Sequence, residues 1–309
     1  MKNNNTIILV FSCLFLLVTL QTCKQNTPAK NYNDTHNSGE AVFVSDESFA
    51  PILDQELYIF KNDNPNAKPS VVYRCENDVV KFLLSDSSRF GFLSRDLNDD
   101  ERNGLKRHNL PVMVSKFAID AIAIIVNGAS ADTAITVDEI KRMLKGQTKT
   151  DKSIVFDNPN SSLVRYLKEF TGEKDFKQKN VYALKSNKEV IEYVSKHPEA
   201  IGITGFSWIN DPDADYASAA KQVKILAVRD ENSKTAPAGY FRPSQETLYL
   251  KQYPLLRYLY IVNCTGRNGL GYGFEHFIKS DKGQRIILRS GLLPIDIPER
   301  NIMIHSNKL

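Results

Sequence analysis

The chain is short of the residues that mark the common catalytic chemistries. It has four cysteines and five histidines in 309 residues. The histidines (His36, His108, His197, His276, His305) are scattered, with no HExxH pair to hold a metal. Gly205-Phe206-Ser207-Trp208-Ile209 lacks the closing glycine of a nucleophile elbow. Gly266, Gly269, Gly271 and Gly273 fit neither a P-loop nor a dinucleotide fingerprint and read as a loop before a helix. Neither charge sign dominates: 40 Lys plus Arg face 36 Asp plus Glu, for a net +4. A nucleic-acid surface is therefore not expected, and runs such as Lys141-Arg142 with Lys145 read as solvated helix faces. No apolar run reaches the ~20 residues that a membrane-spanning helix needs. These absences argue against an enzyme, a resident cofactor and a metal.

What is present is an ordinary globular composition, 42% hydrophobic and 25% charged, in a chain long enough for two domains. Ile7–Leu20 is an apolar run behind a polar start containing Lys2, the pattern of a signal-peptide core. Leu20-Gln21-Thr22-Cys23 resembles a bacterial lipoprotein processing box, with Cys23 as the lipidated residue, although Thr22 stands where Gly, Ala or Ser is usual. An ordinary cleaved signal or a short uncleaved anchor is the alternative. Either way the expectation is a protein outside the cytoplasm, held at a bacterial membrane through lipid at Cys23. Lys24–Glu40 is almost free of apolar residues and reads as a tether. Cys75 and Cys264 remain; a disulfide and two plain buried thiols are both open.

Strand and helix patterns then alternate. Ala41–Ser45 reads as a strand, followed by a helix capped by Ser48 with Pro51 in its first turn and Ile52, Leu53, Leu57 and Phe60 as its buried stripe. Phe90–Ser94 is a short strand ending at Ser94-Arg95-Asp96. Leu110–Asn127 is too long and β-branched for one ordinary strand and reads as two collinear strands crossing between domains, interrupted at Asp120. Thr136 and Glu139 form a capping box for a helix closed by Gly146. Ala200–Gly205, Val223–Val228 and Leu256–Asn263 are further strands.

The stretch Val155–Gly172 organises the rest. An apolar strand stops at the turn residues Asp157-Asn158-Pro159-Asn160, Ser161 and Ser162 are candidate caps, and Leu163, Leu167 and Phe170 recur at helical spacing. Strand, polar turn and serine-rich helix start together make an anion site, because free N–H groups and the positive helix end point the same way. Alternation of this kind implies an α/β protein of two doubly wound lobes with parallel sheets and a ligand cleft between them. The expected division is 1–22 signal peptide, 23–40 tether, 41–117 and 255–309 one lobe, and 118–254 the other.

With the segments VSDESFAPIL, GFLSRDL, FAIDAIAIIVN followed by TVDEIKRMLKG, AIGITGFSWI, YPLLRYLYIV and GQRIILRSGLLP in hand, the chain resembles the substrate-binding lipoproteins of phosphate ABC transporters, in the type II periplasmic binding protein superfamily. The resemblance runs from about Val42 to Pro294. It implies capture of inorganic phosphate by lobe closure and delivery to an ABC permease. It places Ser48 and Phe49 at the first ligand loop, Ser94-Arg95 at the third, and Asn160, Ser161 and Ser162 where the family carries a Ser-Gly-Thr turn. This chain has no glycine there. The family's upstream arginine is replaced around Phe156-Asp157, leaving Arg95 or Arg165 to supply the positive charge.

The chemistry suits these residues. A tetrahedral oxyanion needs many donors, and a buried carboxylate that accepts the phosphate proton would repel sulfate. Asp46, Asp120 and Asp157, with Glu47 behind them, are the candidates; the alternative is that they are turn residues and caps. Arg95 could instead pair with Asp96 or Glu101. Another oxyanion such as sulfate or molybdate, and a surface or signalling lipoprotein of the same fold, remain as rival readings.

Overall fold

The computed structural model describes residues 33–148 and 152–296. The signal-peptide stretch, Cys23 and most of the tether lie outside these residues. The strands are β1 Gly39–Asp46, β2 Ala67–Arg74, β3 Phe90–Leu93, β4 Met113–Asn127, β5 Ala134–Thr136, β6 Ser153–Phe156, β7 Val181–Ala183, β8 Ala200–Gly205, β9 Val223–Ile225, β10 Ala227–Arg229, β11 Leu256–Asn263 and β12 Leu293–Pro294. The helices are α1 Ala50–Asp63, α2 Glu76–Leu84, α3 Asp99–Arg107, α4 Val137–Leu144, α5 Ser162–Thr171, α6 Asn187–Lys196, α7 Ser207–Asn210, α8 Ala217–Ala220, α9 Gln245–Tyr249, α10 Leu270–Lys279 and α11 Asp281–Arg289.

The main sheet runs β2-β1-β3-β11-β4-β8-β6-β7, with β12 and β9 also on β4; β5 and β10 pair separately. Within each half the strands are parallel: β1 with β2 and β3, and β6 with β7 and β8. At the middle they are not. β11 is antiparallel to β3 and β4, and β8 is antiparallel to β4. The expected parallel sheets are thus corrected to a mixed sheet, because β4 and β11 carry the chain out to one half and back.

β4 holds the two halves together. From Met113 to Ala121 it pairs with β11, and from Ile122 to Val126 with β8. The expected pair of collinear strands is in fact one uninterrupted strand of 15 residues. Asp120 does not break it, because Arg257 is its ladder partner and matches its charge. Positions 120–127 are all buried, which is why this part reads as a continuous apolar run rather than an alternating one. Val223–Val228 is likewise corrected, to two strands. The N–H of Leu226 donates to Ile124 O between them, and the chain there leaves β4 for β5.

Burial divides in the same way. One apolar cluster joins β4 beyond Ala121 to α4, α5 and α6. Another packs Phe43, Phe49, Phe60, Phe90, Phe92, Phe117 and Phe274, with Phe43 stacked on Phe274 at 5.4 Å between ring centroids. A two-lobed molecule results, and no helix among the described residues is long and apolar enough to cross a membrane.

Candidate functional site

The serine-rich start of α5 is built as its sequence suggests. Ser161 is the cap and its Oγ accepts from the Val164 N–H at 3.2 Å, while Gly172 closes the helix in the left-handed region at φ 76°. Capping by Ser161 leaves the N–H and hydroxyl of Ser162 free to face the other lobe. Both donate to Asp46: the N–H to Oδ2 at 3.2 Å and the Oγ–H to Oδ1 at 3.0 Å. Asp46 is also the cap of the short 3-10 turn Glu47–Phe49, accepting the Ser48 N–H at 2.9 Å. The expected Ser48 cap is therefore corrected. The Asp46 carboxylate does the capping, and the buried Ser48 hydroxyl has no hydrogen-bond partner.

Arg257 on β11 is the cation that meets Ser162. Its Nε and Nη2 donate to Asp120 Oδ2 at 2.9 and 2.8 Å, and Nη1 donates to Ser162 Oγ at 3.0 Å. Its guanidinium lies 5.2 Å from the centre of the Phe49 ring. Gly205 leaves room for it, since a Cβ there would stand 3.1 Å from Arg257 Nη2. Neither Arg95 nor Arg165 has this position. Arg95 makes a forked pair with Glu101, at 2.8 and 2.7 Å, as the surface-pair alternative has it.

Ser94 belongs to a neighbouring cluster. Its N–H and Oγ–H both donate to Glu76 Oε1 at 3.3 and 3.2 Å. Arg165 of α5 reaches across from the other lobe, donating to Glu76 Oε2 at 2.5 Å and to Ser94 Oγ at 2.7 Å.

Asp157 and Glu47 complete the acidic side. Ser161 Oγ donates to Asp157 Oδ1 at 2.5 Å, and Asn187 Nδ2 donates to both Asp157 Oδ2 and Glu47 Oε2 at 3.1 Å. The Asn187 carbonyl is fixed by Thr204 Oγ1 and Gly205 N–H, which turns its amide toward the acids. Burial, reinforced by neighbouring carboxylates, pushes Asp157 up to about 8 and Glu47 up to about 7. Asn160 stands apart: its N–H donates to Asn158 Oδ1 and its side chain is exposed.

The structure thus gathers Asp46, Glu47, Ser48, Phe49, Asp120, Asp157, Ser161 and Ser162, and sets Ser94, Arg95 and Asn160 aside. Arg257, Asn187 and Glu76 were not foreseen. A charged residue near the start of the apolar strand LRYLYIVN, facing an aspartate in another apolar strand, was the available signal for Arg257. Among the described residues no three His, Cys, Asp or Glu side chains are grouped as a metal would need. What the arrangement can do is bind: it offers a helix start, hydroxyls and one guanidinium to an anion, with protonatable carboxyls alongside.

Comparison with known proteins places the fold. The chain is 24% identical over 261 residues to the phosphate-binding protein PstS of Staphylococcus haemolyticus, covering 80% of this chain and 78% of that protein. Its structure is similar to one assigned as a phosphate ABC transporter substrate-binding protein, solved with bound phosphate, from Clostridium perfringens. The TM-score is 0.69 and the identity 19%, over 84% of this chain and all of that one. It is also similar to an ABC-type phosphate transport receptor from Vibrio cholerae, with a TM-score of 0.62 and 18% identity over 83% of this chain and all of that one. The sequence profile of the PBP superfamily domain matches residues 30–282. That match spans most of the chain, and its two lobes meet at Asp46 and Ser162. The chain belongs to the PBP superfamily.

Proposed function

We infer that the protein is an extracytoplasmic solute-binding protein that captures inorganic phosphate between its lobes and hands it to an ABC permease. It is tethered to a bacterial membrane through lipid at Cys23 and performs no catalysis. The lobes are residues 41–117 with 255–309, and 118–254, of which 149–151 and 297–309 lie outside the described residues. The curated relatives at 24–25% identity are named phosphate-binding proteins, which supports the ligand class.

The observation that carries this reading is the Ser48 hydroxyl, a buried donor with no partner beside the contact of Asp46 with Ser162. A buried unsatisfied hydroxyl costs about 1–3 kcal/mol, and an oxyanion held by Ser162 and Arg257 would satisfy it. Closure follows because only the closed arrangement lets donors from both lobes reach one small anion. The carboxyls favour phosphate over sulfate, since phosphate keeps a proton near neutral pH and sulfate does not.

Calorimetric titration of the purified, dialysed protein against phosphate, sulfate and molybdate tests this. Binding of phosphate in preference to the other two is expected, with a rise in Tm of the loaded protein. Absence of heat and of a Tm shift at millimolar phosphate would overturn it.

A further inference from the structure

In the closed arrangement the best oxyanion donors of the cleft are already used, and by a group of the chain itself. The Asp46 carboxylate accepts from the N–H of Ser48 in its own lobe and from the N–H and Oγ–H of Ser162 at the start of α5 in the other. A carboxylate is itself an oxyanion, and a helix start with a serine hydroxyl receives it as it would receive a phosphate oxygen. Arg257, donating to the same Ser162 Oγ, stands where it would attract either one. Asp46 is also 1% exposed and is the last residue of β1, so its backbone is anchored in the sheet while its side chain reaches across to Ser162.

We propose that Asp46 is an internal occupant of the oxyanion place: its carboxylate draws the lobes together through Ser162 when no solute is bound, and a captured oxyanion enters by displacing it. The first half of this concerns the chain alone. The second rests on the oxyanion reading of the cleft given above. Two physical consequences follow. The ligand-free protein is held partly closed, so an incoming solute meets a gate rather than an open mouth. The ligand affinity is also reduced by the fraction of molecules in which the place is filled from within.

The charge balance points the same way. Asp46, Glu47 and Asp157 lie together, Arg257 is the cation that acts on Glu47 and Asp157, and that cation is already shared with Asp120. Adding an external anion without removing Asp46 would bring like charges into a buried space, which is costly. Displacement of Asp46 avoids that cost.

The test uses the full mature chain, dialysed free of oxyanions, with Asp46→Asn and Asp46→Ala beside wild type. Small-angle scattering reads closure, and calorimetric titration with inorganic phosphate reads capture. Wild type without ligand is expected to scatter as the closed form and Asp46→Ala as an open one. Asp46→Asn is expected to bind phosphate about tenfold more tightly, as it would if the place were self-filled nine-tenths of the time. Ser162→Ala removes the hydroxyl contact from the opposite side and is expected to open the ligand-free protein in the same way; circular dichroism confirms that each variant is folded.

If Asp46→Ala opens the protein while neither form binds phosphate, the internal occupant stands and the phosphate reading falls. If wild type binds phosphate but no substitution changes the scattering, or Asp46→Asn binds more weakly, the phosphate reading stands and the internal occupant is overturned.

Discussion

Trp208 donates its indole N–H to the carbonyl oxygen of Ser48 at 3.0 Å, so the single tryptophan of the chain is hydrogen-bonded across the cleft to the turn that holds Asp46. α7, which carries Trp208, follows directly from β8 in the second lobe, whereas Ser48 follows β1 in the first. The ring is buried and tilted against Tyr216 at 5.8 Å. Separating the lobes breaks this bond and wets the ring. The emission of Trp208 is therefore expected to shift to longer wavelength in Asp46→Ala and to return toward the wild-type value on saturation with phosphate. A spectrum unchanged by both would contradict this account of closure.

Arg257 and Asp120 are each about 2% exposed and form a buried ion pair at 2.8 Å. Removing one partner leaves the other charge uncompensated, at a cost of about 3–5 kcal/mol. Arg257→Met is thus expected to lower unfolding stability by that amount in a denaturant titration. The double substitution Arg257→Met with Asp120→Leu is expected to recover most of the loss. It should still fail to bind phosphate, because the guanidinium is gone in both.

Glu56 on α1 is fully buried, with no hydrogen-bond partner for either carboxyl oxygen, and burial alone pushes it up to about 9. The folded protein therefore keeps a proton here that the unfolded chain releases above about pH 4.5. Stability falls as pH rises from there to about 9, by up to about 1.4 kcal/mol per unit. Glu56→Met, close in volume and without a charge to bury, is expected to match wild type near the acid end and to exceed it by about 2 kcal/mol or more at neutral pH. Urea unfolding at several pH values reads the difference in slope.

Asp157 and Glu47 lead to a proton prediction of their own. Both are raised, Asp157 the more, so Asp157 takes up a proton when another negative charge arrives, while Glu47 stays ionised to accept the proton of phosphate. Phosphate binding just above neutral pH should draw protons from solution, and affinity should weaken as pH rises through about 7 to about 8. Titrations in two buffers of different ionisation enthalpy measure the uptake. Asp157→Asn is expected to reduce it.

The sequence disclosed the parts that follow local rules. The capping box at Thr136 and Glu139, the left-handed Gly172 and the strand Leu256–Asn263 all form as their residues predict. Asp46, Ser161 and Ser162 came into view because turn and cap chemistry is local. Arg257 and Asn187 did not, because what matters for them is distant. Arg257 is defined by Asp120, 137 residues away, and Asn187 by Glu47 at 140. The displacement of Ser48 from its expected capping role has a similar origin: Asp46, two residues earlier, reaches the same N–H at 2.9 Å and also meets Ser162. Cys75 and Cys264, left open by their spacing, are both free thiols.

The shared ladder of β4 and β11 has a mechanical meaning. Its register slips between Leu259 and Tyr260, skipping Phe117 a few residues short of the point where β4 changes partner. A bulge is where a paired ribbon bends and coils most readily. The ribbon that joins the two halves is therefore most pliable at Phe117, which makes this bulge, rather than a loop, the place where one half would turn against the other.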